Sequence, residues 1–474
     1  MATISSAGIG SGLDVNSIIT QLMAIESQPL TSLQAKATTI KSTVSEYGKM
    51  KSAVSTLNDL AAKLANTTTW GQTTVSSANP SAVTAASNGS AAGSYSVQVQ
   101  SLASVQTLAS GVFASTTSTP GAGTLNIELG TWGTGQTSFT PKSGATSLNV
   151  DITATDTLAD VRDKINAAGA GVTALIMTDA TGSRLLMRSN TSGADSAFRT
   201  TVTDSDGNNT DAAGLSQFAF GTATKNLSLN QTAANAAATI NGLAVTSSTN
   251  TLANIVDGLS LTLSAVTTTA VNVDVVPDSA SLKKTLTDFA AAYSAVIKLI
   301  ATDTKYDATT KKGGILQGDN AAVGLQRQLR TLAGSSSGAS TVFSHLSDMG
   351  LQLQADGSMT VNATKLDSAM ANLPEVKKAF SNLGGSDATL NGFGKQFRDM
   401  TSAILGIEGA LTTRSNGLNQ QLTRNQTDQD SMNVRLTGIE KRLRAQYTAL
   451  DTAMAQLNSS SAYITQQVAA WAKA

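Results

Sequence analysis

The sequence predicts an α+β multidomain chain, with a helical coiled-coil stalk from both termini and two β-rich head domains from the middle. Three observations carry this. Heptad-like apolar spacing runs through residues 29 to 64 and again through 411 to 457, and Ser, Thr, Gly and Val dominate the residues between. Thr and Val favour strands, and Gly-Ser-Asn clusters favour turns. At 474 residues, a prior of about 150 residues per domain gives roughly three domains.

The first helix is signalled by Asp14 as N-cap, with Leu13 placed to staple onto Ile18. Ile18, Leu22 and Ile25 form its apolar stripe. Pro29 suits the first turn of a second helix, where no N–H is needed. Leu33, Ala37, Ile40, Val44 and Tyr47 then follow steps of four and three. After Tyr47 the phase slips to Met50, Val54, Leu57, Ala61 and Leu64, a stammer that overwinds a coiled coil.

From residue 79 the texture is one of turns and short strands, and Tyr95, Val97 and Val99 alternate with polar neighbours. A strand over Leu148–Ile152 leads into a capping-box start at Thr157 and Asp160. Leu158, Val161 and Ile165 then give a helical stripe, closed by Gly169. Strands at Val172–Met177 and Arg184–Arg188 follow, joined by the turn Asp179-Ala180-Thr181-Gly182. Asn250 to Asp257 reads as a weaker copy of the run that begins at Asp156. A strand over Thr239–Val245 precedes it, and strands near Leu259 and Val271 follow it. Two copies of one β-helix-β-β unit suggest related head modules.

Helical texture returns after Pro277, with Leu286, Phe289, Tyr293, Val296, Ile297 and Ile300 on one face. Gly318-Asp319 announces another helix over Val323–Leu332. Leu346–Lys365 reads as a hairpin turning at Asp356-Gly357. In the last helix Leu411, Leu418, Met432 and Ile439 form one heptad set, and Leu422, Leu436, Leu443, Leu450 and Leu457 form the other. Asn425, Gln429 and Gln446 interrupt the seam, and Gly406, Gly409 and Gly417 weaken its start. An intramolecular bundle explains these heptads as well as an intermolecular coil does. The expected arrangement uses both, with terminal helices paired within a subunit and the remaining apolar faces meeting neighbours.

Composition excludes several functions. Lys plus Arg equals Asp plus Glu at 32 each, so no basic field exists to hold phosphate backbones, and no nucleic-acid partner is expected. No run of 18 apolar residues occurs, so no membrane insertion is expected. The N-terminus lacks a signal-peptide pattern, so no cleavage by a signal peptidase is expected. Cysteine is absent, which fits passage through a narrow channel where a cross-link would jam. Gly8, Gly10 and Gly12 lack the preceding strand of a dinucleotide site. The acidic run Asp204 to Asp211 has its Gly and Glu positions wrong for a calcium loop and reads as an exposed loop. His345 is the only histidine, which removes histidine triads and paired-histidine metal sites. No catalytic residue, metal ligand or cofactor is expected, and the chain reads as no enzyme.

The run Gly10-Ser11-Gly12-Leu13-Asp14, then Ile18-Ile19, Gln21-Leu22-Met23, Glu26, Pro29-Leu30 and Leu33, with Tyr47, Lys51, Leu57, Ala61 and Leu64 beyond, resembles the N-terminal signature of the flagellar filament cap (flagellar hook-associated protein 2) family. Residues 145–190 and 239–278 also resemble repeats of flagellins and filament caps. The resemblance implies a cap at the filament tip that promotes folding and polymerisation of exported flagellin and prevents its leakage. It implies a terminal coiled-coil leg of residues 1–42 and 425–474, and a helical stalk of 43–78 and 279–424. The inner head would be 79–120 with 225–278, and the outer head, 121–224, would be inserted in it. Its partners would be further copies in a ring of roughly five, flagellin, and the flagellar type III export apparatus with its chaperone. The location implied is extracellular. Leu22, Leu33, Ile40, Val44, Tyr47, Leu436, Ile439, Leu443, Leu450 and Leu457 would carry assembly. Two alternatives are another axial protein (a flagellin or hook–filament junction protein) and an adhesin whose heads bind host mucin.

Overall fold

The computed structural model describes residues 14–89, 92–309 and 311–471. Gly8 to Leu13, and with them the staple onto Ile18, lie outside these. The helices in chain order are α1 (Val15–Glu26), α2 (Gln28–Ala65), α3 (Leu158–Ala168), α4 (Ser279–Thr304), α5 (Asn320–Ala333), α6 (Ala363–Met370), α7 (Leu373–Ser381), α8 (Phe393–Leu405) and α9 (Ala410–Trp471). The chain divides into a helical unit, up to Trp70 and from Ser279 onward, and a β-rich unit, Gly71–Asp278.

In the helical unit α2 is the hub. Its buried positions Ala37, Ile40, Thr43, Tyr47, Met50, Val54, Leu57, Ala61 and Leu64 lie three or four apart, so one stripe points inward along an uninterrupted helix. Onto it pack α4, α8 and α9. The α4 face is the anticipated one, with Leu286, Phe289, Tyr293, Val296, Ile297 and Ile300 all buried. Phe289, Tyr293, Phe380, Phe393, Phe397 and Trp70 make the centre; the Phe289 and Phe397 rings meet edge to face at 5.1 Å. Such pairs add about 0.5–1.5 kcal/mol to their area burial. Close approach of α8 to the end of α2 requires Gly394. A Cβ there would stand 2.7 Å from the Ala65 nitrogen and 2.8 Å from the Phe380 carbonyl oxygen.

The Tyr293 hydroxyl in this core has no hydrogen-bond partner, although the residue is fully buried. An unsatisfied buried hydroxyl costs about 1–3 kcal/mol. Tyr293→Phe is therefore expected to raise stability by about 1 kcal/mol, read as a higher urea midpoint at unchanged slope.

The β-rich unit runs β1 (Thr73–Ser77), β2 (Val83–Ser87), β3 (Gly93–Ser101), β4 (Thr107–Ala109), β5 (Gly123–Trp132), β6 (Phe139–Pro141), β7 (Leu148–Ile152), then α3, β8 (Val172–Asp179), β9 (Gly182–Ser189) and β10 (Ala197–Asp204). It continues with β11 (Ser228–Gln231), β12 (Ala236–Ile240), β13 (Leu243–Ser247), β14 (Thr251–Val256), β15 (Leu259–Leu263) and β16 (Val271–Pro277). One core joins the sheet β1-β16-β3-β12-β13 to the sheet β14-β15-β2, through Val83, Val97, Val99, Leu259, Leu261 and Val273 among others. The other joins β11-β4-β9-β8 to β10-β5-β6, with β7 also on β5 and α3 against them. The first and last strands of the unit are antiparallel neighbours, with Thr73 opposite Pro277.

The β7–α3–β8–β9 stretch forms as its local signals predict. Thr157 and Asp160 make a reciprocal capping box, and Gly169 ends α3 in the left-handed region. The supposed second copy does not. Thr251–Val256 is a strand, β14, paired with β15. Asn254 stands where the first copy has Asp160, Ile255 and Val256 are β-branched, and Gly258 arrives before a second helical turn can form. The single strand expected over Thr239–Val245 is a hairpin, β12–β13, turning at Asn241 (φ 50°) and Gly242 (φ 83°). Asn-Gly is the dipeptide that tolerates positive φ at both central positions.

Candidate functional site

The helical ends are drawn together by complementary stripes. Asp14 caps α1, its carboxylate accepting from the Ser17 N–H at 2.9 Å. On α9, Leu411, Leu418, Asn425 and Leu436 are buried, and Leu422, Gln429, Met432, Ile439 and Leu443 are half-buried. Leu411 and Leu418 are seven apart, and from Leu418 the positions alternate in steps of four and three, the spacing that keeps one seam facing a partner. Leu411 and Leu418 share a core with Ile40 and Tyr47, and Val44 and Leu422 pack at its margin. Further along, α1 packs on α9 and buries Val15 and Ile19. Asn16 Oδ1 there accepts from Arg444 at 3.3 Å.

The ten residues expected to carry assembly fall into three groups. Ile40, Tyr47 and Leu436 are buried within the subunit. Leu33, Val44, Ile439 and Leu443 are half-buried, and Leu33 and Met432 line an open groove between α2 and α9. Leu22, Leu450 and Leu457 are exposed, the last by 64%. The expected α1 stripe of Ile18, Leu22 and Ile25 is displaced: the buried positions are Val15 and Ile19, one step round the helix. Beyond Leu457 the exposed apolar positions continue at Ile464 and Trp471, again seven apart.

Two polar features interrupt this seam. Asn425 is buried and its Oδ1 accepts from Gln429 Nε2 at 2.6 Å; a polar residue at such a position restricts register at some cost in stability. The second feature is centred on Asp319, which caps α5 and is buried. One carboxylate oxygen accepts from Tyr47 Oη at 2.5 Å and from the N–H groups of Ala321 and Ala322 at 3.0 and 3.3 Å. The other accepts from Arg414 Nε at 2.9 Å. Burial pushes the Asp319 carboxyl up, but Tyr47, Arg414 and the Ala322 N–H together hold it below the ordinary carboxylate range. Burial, and then the hydrogen bond to Asp319 and its charge, push the Tyr47 phenol well above its ordinary value. The network ties α2, α5 and α9 at one point. Gly318-Asp319 signals the cap in the sequence; Arg414 carries no local mark of its role.

Elsewhere the polar residues serve the fold. Asp204 is buried, accepting from the Ser216 N–H and hydroxyl at 2.8 and 3.0 Å, while residues 205–210 are exposed. His345 is exposed beside Ser344 and Asp348. Among the described residues no group of three or more His, Cys, Asp or Glu is placed to hold a metal, and no helix is long and apolar enough to cross a membrane.

Comparison with known proteins gives two models of one family at the two ends of the chain. Residues 11–106 match the flagellar hook-associated protein 2 N-terminus and residues 233–459 match its C-terminus, with a flagellin hook IN motif at 135–191 between. The flagellar hook-associated protein 2 of Escherichia coli (strain K12) is 27% identical over 98% of both chains. The A-type flagellar hook-associated protein 2 of Pseudomonas aeruginosa is 29% identical over 97% of this chain and 96% of its own. The fold is similar to the crystal structure of the flagellar cap protein FliD D1-D2-D3 domains from Escherichia coli. That likeness has a TM-score of 0.58 at 24% identity, over 79% of this chain and 99% of that one.

Proposed function

The chain belongs to the flagellar hook-associated protein 2 family, and on that premise we propose that it caps the growing flagellar filament as a ring of copies, sheltering flagellin while it folds and polymerises and preventing its escape. The observation that carries this reading is the match of family models at both ends of the chain, where the helical seam is built. A flagellin or a junction protein would share terminal helices but not both of these matches. The role is structural, with no reaction assigned to the chain.

In this reading the paired helices α1, α2 and α9 form the leg. The core around Val97 and Val273 is the inner head, and the core around Ile127 and Met187 is the outer head inserted in it. Roughly five subunits suit a closed ring of head-to-tail contacts. The chain reaches the tip through the flagellar type III export pathway with its chaperone, and binding of host mucin is a secondary role for the heads. The half-packed groove beside Leu33 and the exposed row Leu450, Leu457, Ile464 and Trp471 support a leg that completes its packing on neighbours.

Leu436→Asp together with Leu443→Asp tests the seam. Loss of the buried Leu436 costs about 2–5 kcal/mol and loss of the half-buried Leu443 less, and a charge buried without a partner costs more. The β-rich unit has its own cores, so the variant is expected to keep its sheet signal in circular dichroism. Cells carrying it in place of the wild type are expected to shed unpolymerised flagellin and lose motility. Normal filaments in those cells would remove the leg from the assembly role.

A further inference from the structure

We infer that the outward face of the β11-β4-β9-β8 sheet is where one subunit receives the next copy of this chain, a proposal that rests on the cap reading. Along β8 the side chains alternate cleanly: Val172 and Ala174 are buried, while Leu175 and Met177 are 48% and 51% exposed. Across the strand pair Leu175 faces Leu186, Met177 faces Arg184, and Thr173 faces Arg188. Val112, 47% exposed, lies against Gly182 at the hairpin end. Single exposed apolar residues are ordinary on a surface, but a group of them edged by arginine has the composition of a protein contact.

The face, rather than the strand edge, is the docking element. β8 ends its sheet, yet Asn166 of α3 already occupies that edge. Its side chain donates to the Ala174 carbonyl at 2.9 Å and accepts from the Ala174 N–H at 2.7 Å. A helix side chain covering an edge is a recognised guard against strand addition.

Charge selects the occupant. Arg184 is held by Asp179 at 3.3 Å, whereas Arg188 is exposed with no acidic partner among the described residues. The complementary surface must carry carboxylates beside uncharged groups. One such surface on this chain is the loop after β10, where Asp206 is exposed and Asp211 half-buried, set among Asn208, Asn209 and Thr210. Neither aspartate has a cationic partner among the described residues. That loop leaves the opposite sheet of the same core, so face and loop are different patches. The contact is heterologous, the kind that closes into a ring when the rotation permits.

The absence of cysteine makes the test direct. Met177→Cys and Asp206→Cys in one full-length chain are expected to give disulfide-linked dimers and higher species on oxidation, whereas each single variant should not form ladders. Leu175→Glu with Met177→Glu, both exposed and so compatible with folding, is expected to weaken self-association about tenfold or more in analytical ultracentrifugation. Arg188→Glu should weaken it similarly, and adding Asp206→Lys should restore it. Unchanged association of the Leu175→Glu, Met177→Glu variant, or no ladder from the double cysteine, overturns the face. Failure of the charge exchange to restore association overturns the loop as its occupant. Immunogold labelling of wild-type filament tips is a separate readout: unlabelled tips would defeat the cap reading, whatever the association data show.

Discussion

Asp319→Ala is expected to destabilise the helical unit by about 2–4 kcal/mol, from loss of the α5 cap together with a Tyr47 hydroxyl left buried without an acceptor. Arg414 is partly exposed and can turn to water, so it adds little to that cost. Asp319→Asn keeps an acceptor for Tyr47 and the cap, and should lose less than half as much. The effect depends on pH in a definite direction. The folded-state pKa of Asp319 is lowered, so the stability it contributes is fully present above the unfolded carboxylate value of about 3.9. It fades as pH falls from there through the folded value. Urea titrations at pH 7 and near pH 3 should therefore show a wide gap between wild type and Asp319→Ala at the first and a narrower one at the second. An equal gap at both would mean that the ionised carboxylate is not what joins α2, α5 and α9.

Phe397→Ala is the most disruptive single core change to expect. Phe397 is fully buried between Phe289 and Tyr293, at 5.1 and 6.1 Å between ring centroids. Truncating a buried Phe costs about 3–5 kcal/mol. That loss should fall on the helical unit alone, because no residue of the β-rich unit belongs to its core cluster. Calorimetry should show one transition moved to lower temperature and the other unmoved. A uniform shift of the whole profile would mean that the two units unfold as one.

What could be read in the chain beforehand is what neighbouring residues decide among themselves. Asp14, Thr157 with Asp160, Gly169 and Asp319 each end or begin a helix through contacts within a few positions, and each does so in the structure. The heptads of α2 and α9 likewise locate the buried stripe, because helical geometry turns spacing into a face. The differences have equally local causes: at Thr251–Val256 β-branching and an early glycine override the likeness to the α3 run, and at Asn241-Gly242 the turn dipeptide splits the expected strand into a hairpin. Arg414 belongs to a different class. Its partner Asp319 lies 95 residues away, and no spacing rule links them. Nor could the division of the predicted stripe into buried Ile40, half-buried Leu443 and exposed Leu457 be foreseen, since heptads show that a face is apolar and not what covers it.

The pairing of β1 with β16 has a consequence for descent. Thr73 and Pro277 stand opposite each other, so chain entry and exit are held about 5 Å apart, the separation of paired strands. Some two hundred residues thus leave and return with almost no net displacement. A lineage can lengthen, trim or replace everything between those two points without asking α2 or α4 to move. A short turn could bridge the gap, and an unrelated domain with adjacent termini could be grafted there. The β-rich unit is thus free to diverge by itself, while α1, α2 and α9 must keep the seam that joins them.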